Sequence, residues 1–223
     1  MNALRRLDEF LLKIDELFEE LERLTDKREL MLKATRDVLK YARDVINYSI
    51  IGKLEKAKKC LNELRETKNT LMRKIEDEPR LKYSGNLRDT LKEYVEAELV
   101  FNFALQYRSE KRFTLPDWKE LNVSVETYIL GLFDFIGELK RILMKEVKQG
   151  DIDRAWAIFE IMQALHTRFE GKIILNSIVP GYKSKVDSIR RLLINTEEFL
   201  IKIESESNVI RALREKDGEE NKN

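Results

Sequence analysis

The chain has 223 residues, 43% hydrophobic and 37% charged, enough for one large domain or two small ones. Its 42 Lys and Arg nearly cancel 41 Asp and Glu, so composition supplies no bulk attraction to nucleic acid or an anionic membrane, and any basic surface must come from segregated charge. Eight Gly and three Pro argue against a loop-rich β protein, and a single His excludes a zinc site built on several imidazoles.

Leu4, Leu7, Leu11, Ile14, Phe18, Leu21 and Leu24 step by three and four, a heptad-like seam that predicts a long first helix. The pattern runs on through Leu32, Val38, Leu39, Val45 and Ile46, with a break expected near Thr25-Asp26 and an end at Gly52. Leu54, Ala57, Leu61, Leu64, Leu71 and Ile75 mark a second helix; Lys68 interrupts its stripe and Pro79 closes it. Ser84-Gly85-Asn86 reads as a turn before a third helix from Leu87 to Tyr107. TLPDW, residues 114–118, is a connector in which Pro116 suits a first helical turn, and Ser124 is placed to cap the next helix. Gly150-Asp151 ends that helix, and another follows to Phe169. VPGYKS, residues 179–184, reads as a loop before a final helix carrying Val186, Ile189, Leu192, Leu193, Phe199, Leu200 and Ile203. The polar end, EKDGEENKN, predicts a disordered tail over 211–223. The expectation is an all-α, single-domain bundle of about seven helices over residues 1–210, packed antiparallel across short loops.

No apolar run approaches the roughly 20 residues of a membrane span. MNALRRLDEF has no apolar core of a secretory signal, and the lone Cys60 forms no internal disulfide, so a reducing cytoplasm is expected.

The stretch YILGLFDFIGEL, residues 128–139, is apolar in nearly every direction, which implies burial. Asp134 and Glu138 lie four apart inside it, on one face. Buried carboxylates are costly unless paired, hydrogen-bonded or metal-bound. A second segment, LKEYVEAELVFNFALQY at 91–107, carries two polar stripes. Glu93 and Glu96 are about 60° apart around the axis, and Glu98, Asn102 and Gln106 run along roughly the opposite side. Periodicity leaves open which stripe faces Asp134 and Glu138. Four acids brought together raise each other's pKa and call for a cation, and oxygen-only ligands suit Mg²⁺ or Mn²⁺. The competing reading is acid pairs on solvated faces beside Lys and Arg. No Glu stands three residues before His166, which excludes the di-iron pattern and leaves His166 as a structural residue.

LKEYVEAELVFNF (91–103) and YILGLFDFIGELKR (128–141), the latter followed by VKQGDID (147–153), resemble the translin family, and within it the Trax type. DKRELMLKATRDV (26–38) and VPGYKSKVDSIRRLL (179–193) extend the resemblance over Asp26 to Ile203. It implies a seven-helix fold and a closed, octamer-like shell that encloses RNA. It also implies a metal-dependent endoribonuclease whose catalytic and metal-holding acids fall on Glu93, Glu96, Asp134 and Glu138. Translin itself lacks this acidic set and acts as a binding subunit, so a chain without such a partner must form a homo-oligomer. No organic cofactor is implied.

RNA needs positive surface, for which Lys58, Lys59, Lys68 and Arg88 are candidates; the alternative for each is an ordinary solvated side chain. Lysines beside Cys60 could activate its thiol, and Tyr94 and Tyr107 could stack bases, unless all three are structural. Gly131 and Gly137 suit close approach of a neighbouring helix or of substrate. Rival functions are a non-catalytic RNA- or DNA-binding shell, a helical adaptor built on the N-terminal seam, and an all-α Mg²⁺-dependent nucleotide pyrophosphatase. The last usually opens with Glu-Glu-x-x-Glu, which Lys92 and Ala97 do not match.

Overall fold

A computed structural model describes the backbone of residues 2–107 and 114–220, and the side chains of residues 7–209 within those limits. Among the described residues there are seven helices and no strand: α1 (Asn2–Ile50), α2 (Leu54–Lys74), α3 (Pro79–Lys82), α4 (Gly85–Gln106), α5 (Val125–Lys148), α6 (Ile152–Phe169) and α7 (Tyr182–Glu220). The expected all-α architecture of about seven helices is present.

α1 passes through Thr25-Asp26 without the expected break. The Thr25 hydroxyl donates to the Leu21 carbonyl one turn back (2.8 Å), so it is satisfied within the helix. Lys27 then ties α1 to the joint after α2 through Asp77 (2.7 Å) and Glu78 (3.1 Å). The heptad seam reaches the core at Leu24 and is first buried at Met31, whereas Leu7, Leu11, Phe18 and Leu21 are about half exposed.

α2 ends at Lys74, and Pro79 opens the one-turn helix α3 instead of closing α2, as its missing N–H allows at a first helical position. Ser84 begins α4 by accepting from the Leu87 N–H (3.4 Å), so the expected turn is a helix cap. Ser124 caps α5 in the same way through the Thr127 N–H (3.4 Å). Pro116 lies in irregular backbone, not in a helical turn, and its carbonyl accepts from the Tyr128 hydroxyl (2.8 Å).

α4 and α5 run parallel, against the expectation of antiparallel neighbours throughout. Arg88 and Leu91 near the start of α4 share a cleft with Ser124 and Thr127 at the start of α5. At the other end the Tyr107 hydroxyl donates to Glu146 (2.8 Å). Residues 114–124 lead back along the pair, from Thr114 beside Gln106 past Tyr128 to the start of α5. α5 and α6 form a hairpin at Gly150, whose φ of +83° suits a residue without Cβ, and Asp151 caps α6 through the Arg154 N–H (3.0 Å).

Within the expected VPGYKS loop, Val179 is buried and α7 already starts at Tyr182, whose hydroxyl donates to the Phe169 carbonyl (2.9 Å). α7 runs into the segment expected as a disordered tail. Arg, Ala, Leu, Glu and Lys there are good helix formers, and extending an existing helix needs no new nucleus. Residues 221–223 lie outside the described residues. No helix among the described residues is long and apolar enough to cross a membrane. α4 is the central element, packed against α1, α2 and α5.

Candidate functional site

α4 and α5 approach closely where Gly131 faces Val95. A Cβ on Gly131 would lie 2.5 Å from Val95 Cγ1 and 3.1 Å from the Lys92 carbonyl oxygen. This contact sets the next turns of both helices side by side. One carboxylate oxygen from each of Glu93, Glu96 and Asp134 lies within 4.8 Å of the others. Glu138, one turn further along α5, adds its charge to the group, but its carboxylate accepts from Arg141 (2.6 Å). Arg141 also donates to Asn47 on α1 (3.1 Å). Three of the four expected acids therefore converge, and the fourth borders them.

Glu96 is the most buried of the four. Burial, then repulsion from Glu93, Asp134 and Glu138, pushes its pKa up to about 8, against partial relief from Lys92. No cation pairs with Glu96 among the described residues. Burial also raises the pKa of Glu138, with Arg141 opposing. Asp134 is held differently: Lys92 Nζ sits 2.8 Å from Oδ2, and Lys185 at the start of α7 pairs with Oδ1. Lys92 also lies 3.3 Å from Glu93. Burial lowers the Lys92 pKa, but Asp134 and Glu93 together outweigh it and leave it raised.

Sequence reasoning missed both lysines. Lys92 was legible as the residue before Glu93; Lys185 was not, because its partner is 51 residues away on another helix.

The second polar stripe of α4 faces elsewhere. Glu98 is fully buried in a two-pronged pair with Arg65 of α2 (2.6 and 2.7 Å). The Asn102 amide donates to the Glu98 carbonyl (2.9 Å), and the Gln106 amide to the Asn102 carbonyl (3.1 Å). The alternative left open by periodicity thus resolves to Glu93 and Glu96.

Lys68 is not a surface cation. It is 3% exposed; its ammonium donates to the Leu121 carbonyl (3.1 Å) and lies 5.2 Å from the centre of the Tyr94 ring. This explains the interrupted stripe: a buried lysine donates to the carbonyls of Leu121 and Asn122, where Asn122 has a φ of +50°. Lys58 and Lys59 are exposed on α2. Arg88 is half-buried and lines the cleft of about 670 Å³ between the starts of α4 and α5.

Burial, with Asp44 and Glu63 nearby, pushes the Cys60 thiol pKa up, opposite to the activation considered for it. Tyr94 is buried, and Tyr107 stacks on Phe103 with ring centres 5.0 Å apart; both belong to the interior. His166 is buried with Nε2 3.2 Å from the Val186 carbonyl, a structural role as expected.

A family model described as Translin family matches residues 12–204. The chain belongs to the translin family. Among curated proteins this translin-family chain is similar to the uncharacterized protein MJ0175 of Methanocaldococcus jannaschii, with 28% identity over 120 residues, 53% of this chain and 51% of that protein. The chain thus spans about half the length of the curated relative it matches. Among solved structures it is similar to apo-NeC3PO (TM-score 0.73; 85% of this chain, 96% of that one) and AfC3PO (0.74; 86% and 97%), each at 24% identity. A complex of AfC3PO with duplex RNA matches at a TM-score of 0.70 over 86% of this chain and 97% of that one, also at 24% identity. These likenesses establish the translin-type fold.

The donor set fits a hard divalent cation. The converging atoms are all carboxylate oxygens, and Glu96 is a buried acid that either keeps a proton or needs added positive charge.

Proposed function

We propose that this translin-family chain is a Mg²⁺- or Mn²⁺-dependent endoribonuclease acting within an octamer-like homo-oligomeric shell in the cytoplasm. The observation that carries this reading is the convergence of Glu93, Glu96 and Asp134 around a buried Glu96 that forms no ion pair among the described residues. The Trax-type motifs containing these acids support it, as does the existence of a duplex RNA complex for the similarly folded AfC3PO.

Glu93, Glu96 and Asp134 would hold the cation, with Glu138 adding negative charge from the next turn. A bound divalent cation supplies Lewis acidity towards the phosphate and lowers the pKa of water. The protein's own work is placement. Packing at Gly131 fixes α4 against α5, and Arg141 anchors Glu138 to Asn47 on α1. Hydrolysis forms one P–O bond from water and breaks one P–O bond to ribose; the water proton is taken up at a site carboxylate, and the leaving oxygen is protonated from solvent. No imidazole base is required, and His166 is committed to Val186.

One observation favours a second reading, a non-catalytic RNA-binding shell: both oxygens of Asp134 already pair with lysines, so part of the acidity is neutralised internally.

The test is cleavage of a labelled single-stranded RNA with Mg²⁺ or Mn²⁺, with EDTA, and with folded Glu96→Ala and Asp134→Ala variants. Cleavage lost with chelator and in both variants supports the nuclease. RNA bound but left intact by wild type and variants alike supports the binding shell. Mass by light scattering tests the assembly; a monomer rules out the shell.

A further inference from the structure

Asp134 sits between two ammonium groups. Lys92 reaches it from the middle of α4 and Lys185 from the first turn of α7, one to each carboxylate oxygen. Neither lysine is sealed in: their side chains are 21% and 33% exposed, and Asp134 is 22% exposed. Lys92, Lys185 and Arg141 stand against Glu93, Asp134 and Glu138. The same carboxylate is one of the three that converge for a cation.

A divalent cation at Asp134 competes with the two ammonium groups for the single negative charge of that carboxylate. The cation carries twice the charge of an ammonium and prefers carboxylate oxygen. Lysine is a point charge on a flexible stem with three donors, able to change partner without backbone movement. A lysine released beside a bound cation finds its next anion in a phosphate brought to that cation.

We propose that Lys92 and Lys185 are exchangeable counter-ions of Asp134, displaced by the divalent cation and redeployed as the phosphate-binding residues for RNA at this site. The proposal rests on the nuclease reading above and adds to it a role for two residues outside the acidic set. In the absence of a cation the lysines keep the acids together; in its presence they grip the phosphate from two helices. The exchange makes cation binding and phosphate binding support each other.

The decisive signature is a pair of effects of opposite sign. Mn²⁺ affinity is measured by calorimetry on the full-length wild type, Lys92→Gln, Lys185→Gln and the double variant. Lys183→Gln, an exposed neighbour on α7, is the control for general charge. Loss of the internal competitors is expected to tighten Mn²⁺ binding about fivefold in the double variant. The same variant at saturating Mn²⁺ is expected to lose about a hundredfold in kcat/KM for single-stranded RNA. Lys183→Gln is expected to change neither. If the double variant does not fold, each single variant carries the test with smaller effects in the same directions.

Mn²⁺ binding unchanged or weakened without the lysines overturns the exchange, and so does undiminished cleavage. In both cases a wild type that binds Mn²⁺ and cleaves RNA leaves the nuclease reading standing. A wild type that does neither removes the nuclease reading and this proposal with it.

Discussion

Arg65 of α2 grips Glu98 of α4 through two parallel hydrogen bonds, from Nε at 2.6 Å and Nη2 at 2.7 Å, and Glu98 has no exposed surface. The pair splits the acids of α4 between two jobs. Glu98 ties α4 to α2, while Glu93 and Glu96 face α5.

Removing Arg65 strands a buried carboxylate. Arg65→Ala is expected to lower stability by about 3 kcal/mol, and the Arg65→Met, Glu98→Leu double variant by less, because the second leaves no unpaired charge. Urea denaturation of both variants checks this. Equal losses in the two would show that packing, not charge, carries the contribution.

Glu96 makes stability depend on pH in a fixed direction. Its folded pKa of about 8 lies above its ordinary 4.5, so the folded state holds the proton more tightly. Stability is therefore highest below about pH 4.5 for this group, falls as pH rises towards 8, and then levels off; the effect is on the order of a few kcal/mol. Glu138 is shifted in the same direction. Thermal melts in EDTA between pH 5 and 9 are expected to show the decline, Glu96→Gln to flatten it, and Mn²⁺ to offset it increasingly at higher pH. A wild-type profile no steeper than that of Glu96→Gln contradicts the assignment.

Gly131 and Gly137 have similar surroundings in sequence and opposite ones in space. An added Cβ at Gly131 meets Val95 at 2.5 Å, whereas at Gly137 it meets nothing within 4 Å. Gly131→Ala is expected to cost about 1–3 kcal/mol and to weaken Mn²⁺ binding by moving α5 off α4 at the acids. Gly137→Ala is expected to be neutral or to stabilise by up to about 1 kcal/mol through helix propensity. Denaturation and calorimetry on the two variants settle the contrast.

Lys68 is expected to contribute to folding rather than to RNA affinity, because it is buried with its ammonium on the Leu121 and Asn122 carbonyls. Lys68→Met keeps most of the apolar stem but leaves the Leu121 and Asn122 carbonyls without their donor, at an expected cost of about 1–3 kcal/mol. RNA affinity of the folded variant is expected to match wild type in a filter-binding assay. A selective loss of affinity without loss of stability would return Lys68 to the surface.

The helices were legible because burying one face imposes a period that sequence records directly. The stripe of α2, the Ser124 cap and the Gly150 break all appear where local chemistry places them. The pairing of acids within each helix was equally visible, since residues three or four apart must share a side. Local signals misled where tertiary partners changed their meaning: Thr25 stayed inside α1, Pro79 opened a helix, and Lys68 turned inward.

By itself the sequence determined an all-α chain with two carboxylate pairs and the family motifs that contain them. Only the tertiary structure decided that α4 and α5 run parallel, that Glu93 and Glu96 face Asp134 while Glu98 turns to Arg65, and that Lys185 completes the surroundings of Asp134. The reason is physical. Periodicity fixes which side of a helix a residue occupies, but the neighbour met by that side is set by the packing of elements far apart in the chain.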